Sequence, residues 1–251
     1  MRTEWVGRNP QKDNLRNQIW TMLKDTGIAV GNPFNEIPNF VHAEQAAGNL
    51  RNMDVYKKAK VVKCNPDDAQ IPIRRMALED GKLLYMAVPQ LVEEKCFVEL
   101  TAETLRKIGK TPSDAATWEA ALQLGRLVSF EEMQYIDIAV VGCVAVTLEG
   151  GRIGKGGGFA DLEFGILRHF KLIDQETVIL TTVPDEVIVD SSLIPLQDHD
   201  TFLNYIITPK AVYPTQATKP QPRGINWDDV QADQLEEIPI LRALKKQGSK
   251  R

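Results

Sequence analysis

The stretch Glu149 to Gly165, "EGGRIGKGGGFADLEFG", puts six glycines into the nine positions from Gly150 to Gly158 and then turns apolar and acidic. Glycine is about 7% of ordinary sequence, and the 17 glycines in these 251 residues match that average, so the cluster has a local cause. Just before it, "IDIAVVGCVAVTL" (Ile136 to Leu148) is an apolar run too continuous for a half-exposed strand, which predicts a central one. Just after it, Phe159, Leu162, Ile166, Leu167 and Phe170 recur at helical spacing. Asp161 and Glu163 open that helix and Arg168 and His169 close it, the charge order that suits a helix dipole. Strand, glycine-rich turn and helix N-terminus in this order converge backbone N–H groups on an anion, usually a phosphate.

Outward from this unit, short apolar runs alternate with helical patterns. Leu15, Ile19 and Leu23 predict a helix from Lys12 to Lys24, with Lys12 and Arg16 stacked on a neighbouring stripe. The small-residue face of "VHAEQAAGNL" suits a helix lying close on a sheet. "RRMALEDG" and Thr101 to Gly109 read as further helices. "AKVVKC", "KLLYMAVP", "CFVEL", "TVILTTVP", "VIVDSSLIP" and "LNYIITPKAVYP" read as strands. Such alternation predicts an α/β fold with a mixed, largely parallel sheet and helices on both faces. Residues 1–214 are assigned to this domain and 215–251 to a polar, Pro-rich appendage with a short charged helix broken at Pro239.

A formal charge of −4, with 43% hydrophobic and 25% charged residues, describes a globular chain with no electrostatic footprint for nucleic acid. The basic "YKKAKVVK" lacks the interleaved aromatics of single-strand binding. No apolar run reaches the roughly 18 residues of a membrane span, and "MRTEWVGRNPQKDNLRN" has no leader-like apolar segment, so a cytoplasmic protein is expected. Cys64, Cys96 and Cys143 show neither disulfide nor zinc spacing and read as buried, reduced thiols.

The glycine cluster fits neither a Walker loop nor G-x-G-x-x-G. It reads either as a hairpin followed by a ligand-free turn or as a phosphate cradle of another type. Arg152 and Lys155 suit a triphosphate in the second reading and surface solvation in the first. Asp161 is either a first-turn helix charge or, beside phosphate, a ligand to an intervening Mg²⁺.

"GGRIGKGGGFAD" resembles the R-[IL]-G-x-G-x-G-[YF]-x-D signature of the 5-formyltetrahydrofolate cyclo-ligase family. "KDNLR", "FVHAEQAAGNL" and "HDTFLNYIIT" resemble three further motifs of that family, so the likeness runs from Lys12 to Thr208. The resemblance implies a three-layer, Rossmann-like fold. It implies that Lys12 and Arg16 contact ATP, that Arg152, Gly154, Lys155, Gly156, Gly157 and Gly158 cradle its phosphates, and that Asp161 and Asp200 hold Mg²⁺. Phe159 falls where the family stacks a ring near the pterin. Phosphoryl transfer is mainly positioning and charge neutralisation, which Arg152 and Lys155 would supply as the catalytic side chains. The implied reaction turns 5-formyltetrahydrofolate and ATP into 5,10-methenyltetrahydrofolate, ADP and phosphate.

Three departures fall mostly at the folate end. Phe159-Ala160-Asp161 stands where two aromatics usually precede the aspartate, "KCNPDDAQIPIRRMALEDGK" lacks the family's substrate-binding Glu before a Thr, and Asn204 replaces a second aspartate. The pattern resembles the family's divergent branch, which includes the methenyltetrahydrofolate synthetase domain-containing proteins and has links to thiamin metabolism. Arg74 and Arg75 are therefore assigned either to an anionic substrate group or to a solvated helix face. Three readings follow: the cyclo-ligase itself, an ATP-dependent enzyme of the same fold acting on another small heterocycle, and a nucleotide-binding protein without catalysis.

Overall fold

The computed structural model describes residues 9–248 apart from 89–90, 92, 198 and 218–219; residues 1–8 of the N-terminal stretch expected to lack a leader lie outside the described residues. Helix α1 (Pro10–Asp25) starts where Asn9 accepts a 3.0 Å hydrogen bond from the Lys12 amide and Pro10 takes a first-turn position. Leu15, Ile19, Trp20 and Leu23 are its buried stripe. The small face of α2 (Ala43–Asn52) follows, then α3 (Asp54–Lys58), β1 (Val61–Cys64), α4 (Ile71–Glu79), β2 (Leu83–Ala87) and β3 (Phe97–Leu100). Thr101 caps α5 (Ala102–Lys107), and α6 (Trp118–Leu124) leads into β4 (Arg126–Val128). The second half runs β5 (Ile138–Val140), β6 (Ala145–Val146), β7 (Arg152–Ile153), α7 (Phe159–His169), β8 (Val178–Thr182), β9 (Tyr205–Ile207) and β10 (Val212–Pro214). Helices α8 (Ala232–Glu237) and α9 (Pro239–Gly248) end the described chain.

Eight strands form one sheet in the order β10-β9-β8-β5-β1-β2-β3-β4. The five from β9 to β2 are parallel, and β10, β3 and β4 extend the edges antiparallel. Helix α2 packs on β8 and β9, and α4 on β1 and β2. Successive side chains of a strand point to opposite faces, and β1 is buried along its whole length. Lys63 pairs with Glu163 of α7, whereas Cys64 lies near Arg74 of α4, so different helices cover the two faces. This is the predicted α/β architecture. No helix among the described residues is long and apolar enough to cross a membrane. All three cysteines are buried and free, and burial pushes the Cys64 thiol up to about 12.

Two expectations are corrected. The run from Ile136 to Leu148 is not one strand: β5 ends at Val140, and the chain leaves the large sheet to pair β6 with β7. The break lies at Gly142, where a Cβ would come within 2.6 Å of Asp67 Oδ2 and 2.9 Å of Ile37 Cγ1, and hydrophobic periodicity cannot register a change of sheet. "VIVDSSLIP" forms no strand: it begins on the last residue of one 3₁₀ turn, Asp185–Val187, contains a second, Ser191–Leu193, and makes a parallel bridge from Ile188 to Val146. The polar C-terminal segment assigned as an appendage packs on the rest of the chain. Ile238, Leu241 and Leu244 are buried, and a Cβ on Gly165 in mid-α7 would meet Ile225 Cα at 3.1 Å, so the segment lies backbone-close on that helix.

The Lys63–Glu163 ion pair inside this core generates a test. Replacing either residue alone, as Lys63→Met or Glu163→Leu, is expected to cost about 3–5 kcal/mol in urea unfolding, with most of that recovered in the double variant. Burial, opposed by Lys63, lifts the Glu163 carboxyl above its ordinary range. Lys63→Met should therefore be most stable near pH 4, with Glu163 protonated, and lose stability as pH rises through the folded-state value. A flat pH profile would contradict that assignment.

Candidate active site at the switch point of the sheet

The parallel strands lie in the order β2-β1-β5-β8-β9, so the chain reverses its direction of travel across the sheet between β1 and β5. In open α/β sheets the crevice outside the carboxyl ends of the strands at such a switch point is where ligands bind. A cavity of about 820 Å³ lies there. Asn65 to Asp68 beyond β1, Ala87 and Val88 beyond β2, and Gly142 beyond β5 form its floor. Lys12 and Arg16 of α1, the loop from Arg152 to Gly158 and the first turn of α7 wall it, and Gln197, His199 and Asp200 close one side. Its size falls within the usual range for small-molecule sites, roughly 300–1,000 Å³.

Four cations reach this cavity, each from a different anchor. Lys12 Nζ lies 3.2 Å from Asp200 Oδ2. One turn on, Arg16 donates through Nε to the Gly154 carbonyl at 2.6 Å and pairs with Asp13, and burial draws its pKa below the ordinary value despite that carboxylate. The Arg152 guanidinium is only 5% exposed, ion-pairs with Asp161 and donates to the Thr201 carbonyl at 3.3 Å. Burial disfavours its charge, but Asp161, Cys143 and Asp200 together more than offset this and raise its pKa. Lys155 lies 3.1 Å from Glu36 and 3.4 Å from Asp67, and these carboxylates likewise overcome burial to hold it protonated.

The glycine cluster serves two tasks. Gly150, at φ 87°, turns the β6–β7 hairpin, while the second group forms the loop into α7. Gly158 takes φ 71° as the residue before the helix, a left-handed position that favours glycine. Among the described residues, the amides of Gly154, Gly156 and Gly158 have no acceptor within the protein, as an anion cradle requires. The two aspartates each commit one oxygen: Asp161 Oδ1 to Arg152 and the Thr201 amide, Asp200 Oδ2 to Lys12 and the Gln197 amide. The other oxygen of Asp161 makes no hydrogen bond among the described residues, that of Asp200 lies 3.7 Å from His199 Nε2, and no group of three or more His, Cys, Asp or Glu there forms a cage. Two carboxylate oxygens without a cage fit Mg²⁺, which is usually bound through one or two carboxylates plus phosphates and water.

Arg74 and Arg75, assigned either to an anionic substrate group or to a solvated helix face, lie outside the cavity lining. Arg74 is wholly buried and donates to the carbonyls of Ala116 at 2.7 Å and Asp67 at 3.0 Å, pinning the loop after β1. Arg75 is spent on Glu44 and Glu79 at the surface. Phe159 lines the cavity beside Ala160, and Trp118 adds a second ring. His199 is not a free loop residue, since its Nδ1 lies 2.7 Å from Asp229 of the C-terminal segment. Sequence reasoning missed Glu163 in the cavity wall, although a lysine at mid-run in "VVKC" signals a buried partner. Asp67, which meets Lys155, carries no such signal.

The sequence model of the 5-formyltetrahydrofolate cyclo-ligase family matches residues 8–209. A methenyltetrahydrofolate synthase domain-containing protein of Bos taurus is 34% identical over 244 residues, 94% of this chain and 62% of that protein. The Danio rerio protein of the same description is 29% identical over 248 residues, 96% of this chain and 63% of its own. The chain thus spans about three fifths of the length of these relatives. The NMR structure of Aquifex aeolicus 5,10-methenyltetrahydrofolate synthetase superposes with a TM-score of 0.52 at 18% identity, covering 83% of this chain and 94% of that one, a likeness of fold. With the family model matched over most of its length, this chain belongs to the 5-formyltetrahydrofolate cyclo-ligase family.

Proposed function

We propose that the chain is a cytoplasmic, ATP- and Mg²⁺-dependent cyclo-ligase that converts 5-formyltetrahydrofolate to 5,10-methenyltetrahydrofolate. One observation carries this reading: Lys12, Arg16, Arg152 and Lys155 line a single cavity with the glycine-loop amides and with Asp161 and Asp200. In the proposed reaction the γ-phosphoryl group passes to the formyl oxygen, the second nitrogen attacks the formyl carbon, and phosphate leaves as the ring closes. Lys155, with 37% of its side chain exposed, is placed to swing from Glu36 and Asp67 to a phosphate oxygen. Arg152, held from behind by Asp161, offers a fixed positive charge to the same group. Asp161 and Asp200 are the residues that would hold Mg²⁺, which when bound neutralises phosphate charge. The remaining steps need orientation more than side-chain nucleophiles.

A second reading keeps the ATP chemistry and changes the acceptor to another small heterocycle. It draws on Ala160, which lines the cavity where the family usually carries a second aromatic ring, and on the absence of Arg74 and Arg75 from the lining. A site that loses substrate-binding groups loses much affinity for that substrate.

Calorimetric titration with Mg-ATP is expected to show binding that Lys155→Ala weakens at least tenfold, about 1.4 kcal/mol; no heat and no thermal shift in the wild type would remove the proposal. With 5-formyltetrahydrofolate present, the methenyl absorbance should rise and should vanish on chelation of Mg²⁺. Asp161→Asn keeps an oxygen for Arg152 and the Thr201 amide while discarding the carboxylate charge, and should abolish the rise without unfolding the protein. Mg-ATP binding with no methenyl product would select the second reading.

A further inference from the structure

The family model matches no further than residue 209, yet the cavity extends beyond it. Gly224, Ile225, Asn226, Asp229, Val230 and Gln234 line it from the C-terminal segment. That segment is fixed at several points. Gln221 donates to the Phe202 carbonyl at 2.8 Å and accepts from the Phe202 amide at 3.1 Å, Ile225 lies over Gly165, and Asp229 holds His199. The decisive contact is at α8. Gln234 is 5% exposed, and its Nε2 donates to the Gly157 carbonyl at 2.8 Å while its Oε1 accepts from the Gln231 amide at 3.0 Å.

Gly157 lies inside the loop that lines the cavity, between glycines whose amides have no acceptor among the described residues. Fixing its carbonyl fixes the peptide plane that it shares with the Gly158 amide, whose N–H points the opposite way. We propose that the C-terminal segment is a permanent wall of the phosphate site and that Gln234 is a positioning residue that holds the glycine loop with its N–H groups presented to the anion. The proposal rests on the phosphate reading of the loop and adds to it a residue from outside the matched family region.

The test uses the full chain, amide hydrogen exchange and Mg-ATP or pyrophosphate titration. Gln234→Glu keeps the acceptor for the Gln231 amide and sets a carboxylate oxygen against the Gly157 carbonyl in place of the donor; Gln234→Met loses both and adds no charge. Both variants are expected to exchange the Leu162 amide, which donates to the Gly158 carbonyl at the end of the loop, at least tenfold faster, with the strands of the large sheet unchanged, and to bind Mg-ATP and pyrophosphate at least tenfold more weakly. Loosening in Gln234→Met alone would assign the effect to the α8 cap and overturn the proposal. So would exchange that rises equally throughout the molecule, or binding that is unchanged in both variants. If the wild type binds neither probe, the ATP reading fails, while local exchange in Gln234→Glu still decides whether Gln234 holds the loop.

Discussion

The site hangs on the Arg152–Asp161 ion pair. Arg152 is the first residue of β7 and Asp161 belongs to the first turn of α7, so their contact joins the two ends of the glycine loop like the knot of a lasso. Thr201 adds a third strand to the knot, its carbonyl accepting from Arg152 and its amide donating to Asp161. A run of glycines is otherwise entropically expensive to order. Pinning both ends shortens the free segment to the few residues in between, and glycine can then supply bare backbone without supplying disorder. The position of Asp200, adjacent to Thr201, follows from the same contact.

Charge balance is the second theme. Each of the four cavity cations meets a carboxylate: Lys12 with Asp200, Arg16 with Asp13, Arg152 with Asp161, Lys155 with Glu36 and Asp67. The cavity is therefore poised rather than strongly positive. A polyphosphate entering it exchanges one set of ion pairs for another, and a divalent cation settles the carboxylates thus released. Such an exchange favours a ligand that brings anion and cation together over a bare anion, since unpaired buried charge is costly. It also accounts for the unremarkable overall charge of the chain, −4, which conceals the cations of the site.

Much of this arrangement was legible in the sequence, for identifiable reasons. Strand, glycine loop and helix adjoin in the chain, so their local order was readable, as were the stripe of α1 and the pair Lys12 and Arg16 one turn apart. The exit from the large sheet at Gly142 was hidden because both halves of the run are equally apolar. The role of Arg74 was hidden as well. An arginine that binds carbonyls and one that binds an anion look alike in a sequence, and only its complete burial separates them. The C-terminal segment misled most, since its polar, Pro-rich composition describes an exposed tail, whereas a few apolar residues and the bare surface at Gly165 dock it.

Lys12 and Asp200 are 188 positions apart, and Arg16 reaches a carbonyl 138 positions away. Contacts of such separation repay their loop-closure entropy late, after the nearer pairings have formed. The cavity is thus a product of completed folding, and no early fragment of the chain contains it. On a ribosome, the wall that includes Gln234 is synthesised last of all its parts. A nucleotide that occupies the finished cavity would stabilise only the folded chain, so that ligand occupancy doubles as a report that these distant segments have come together.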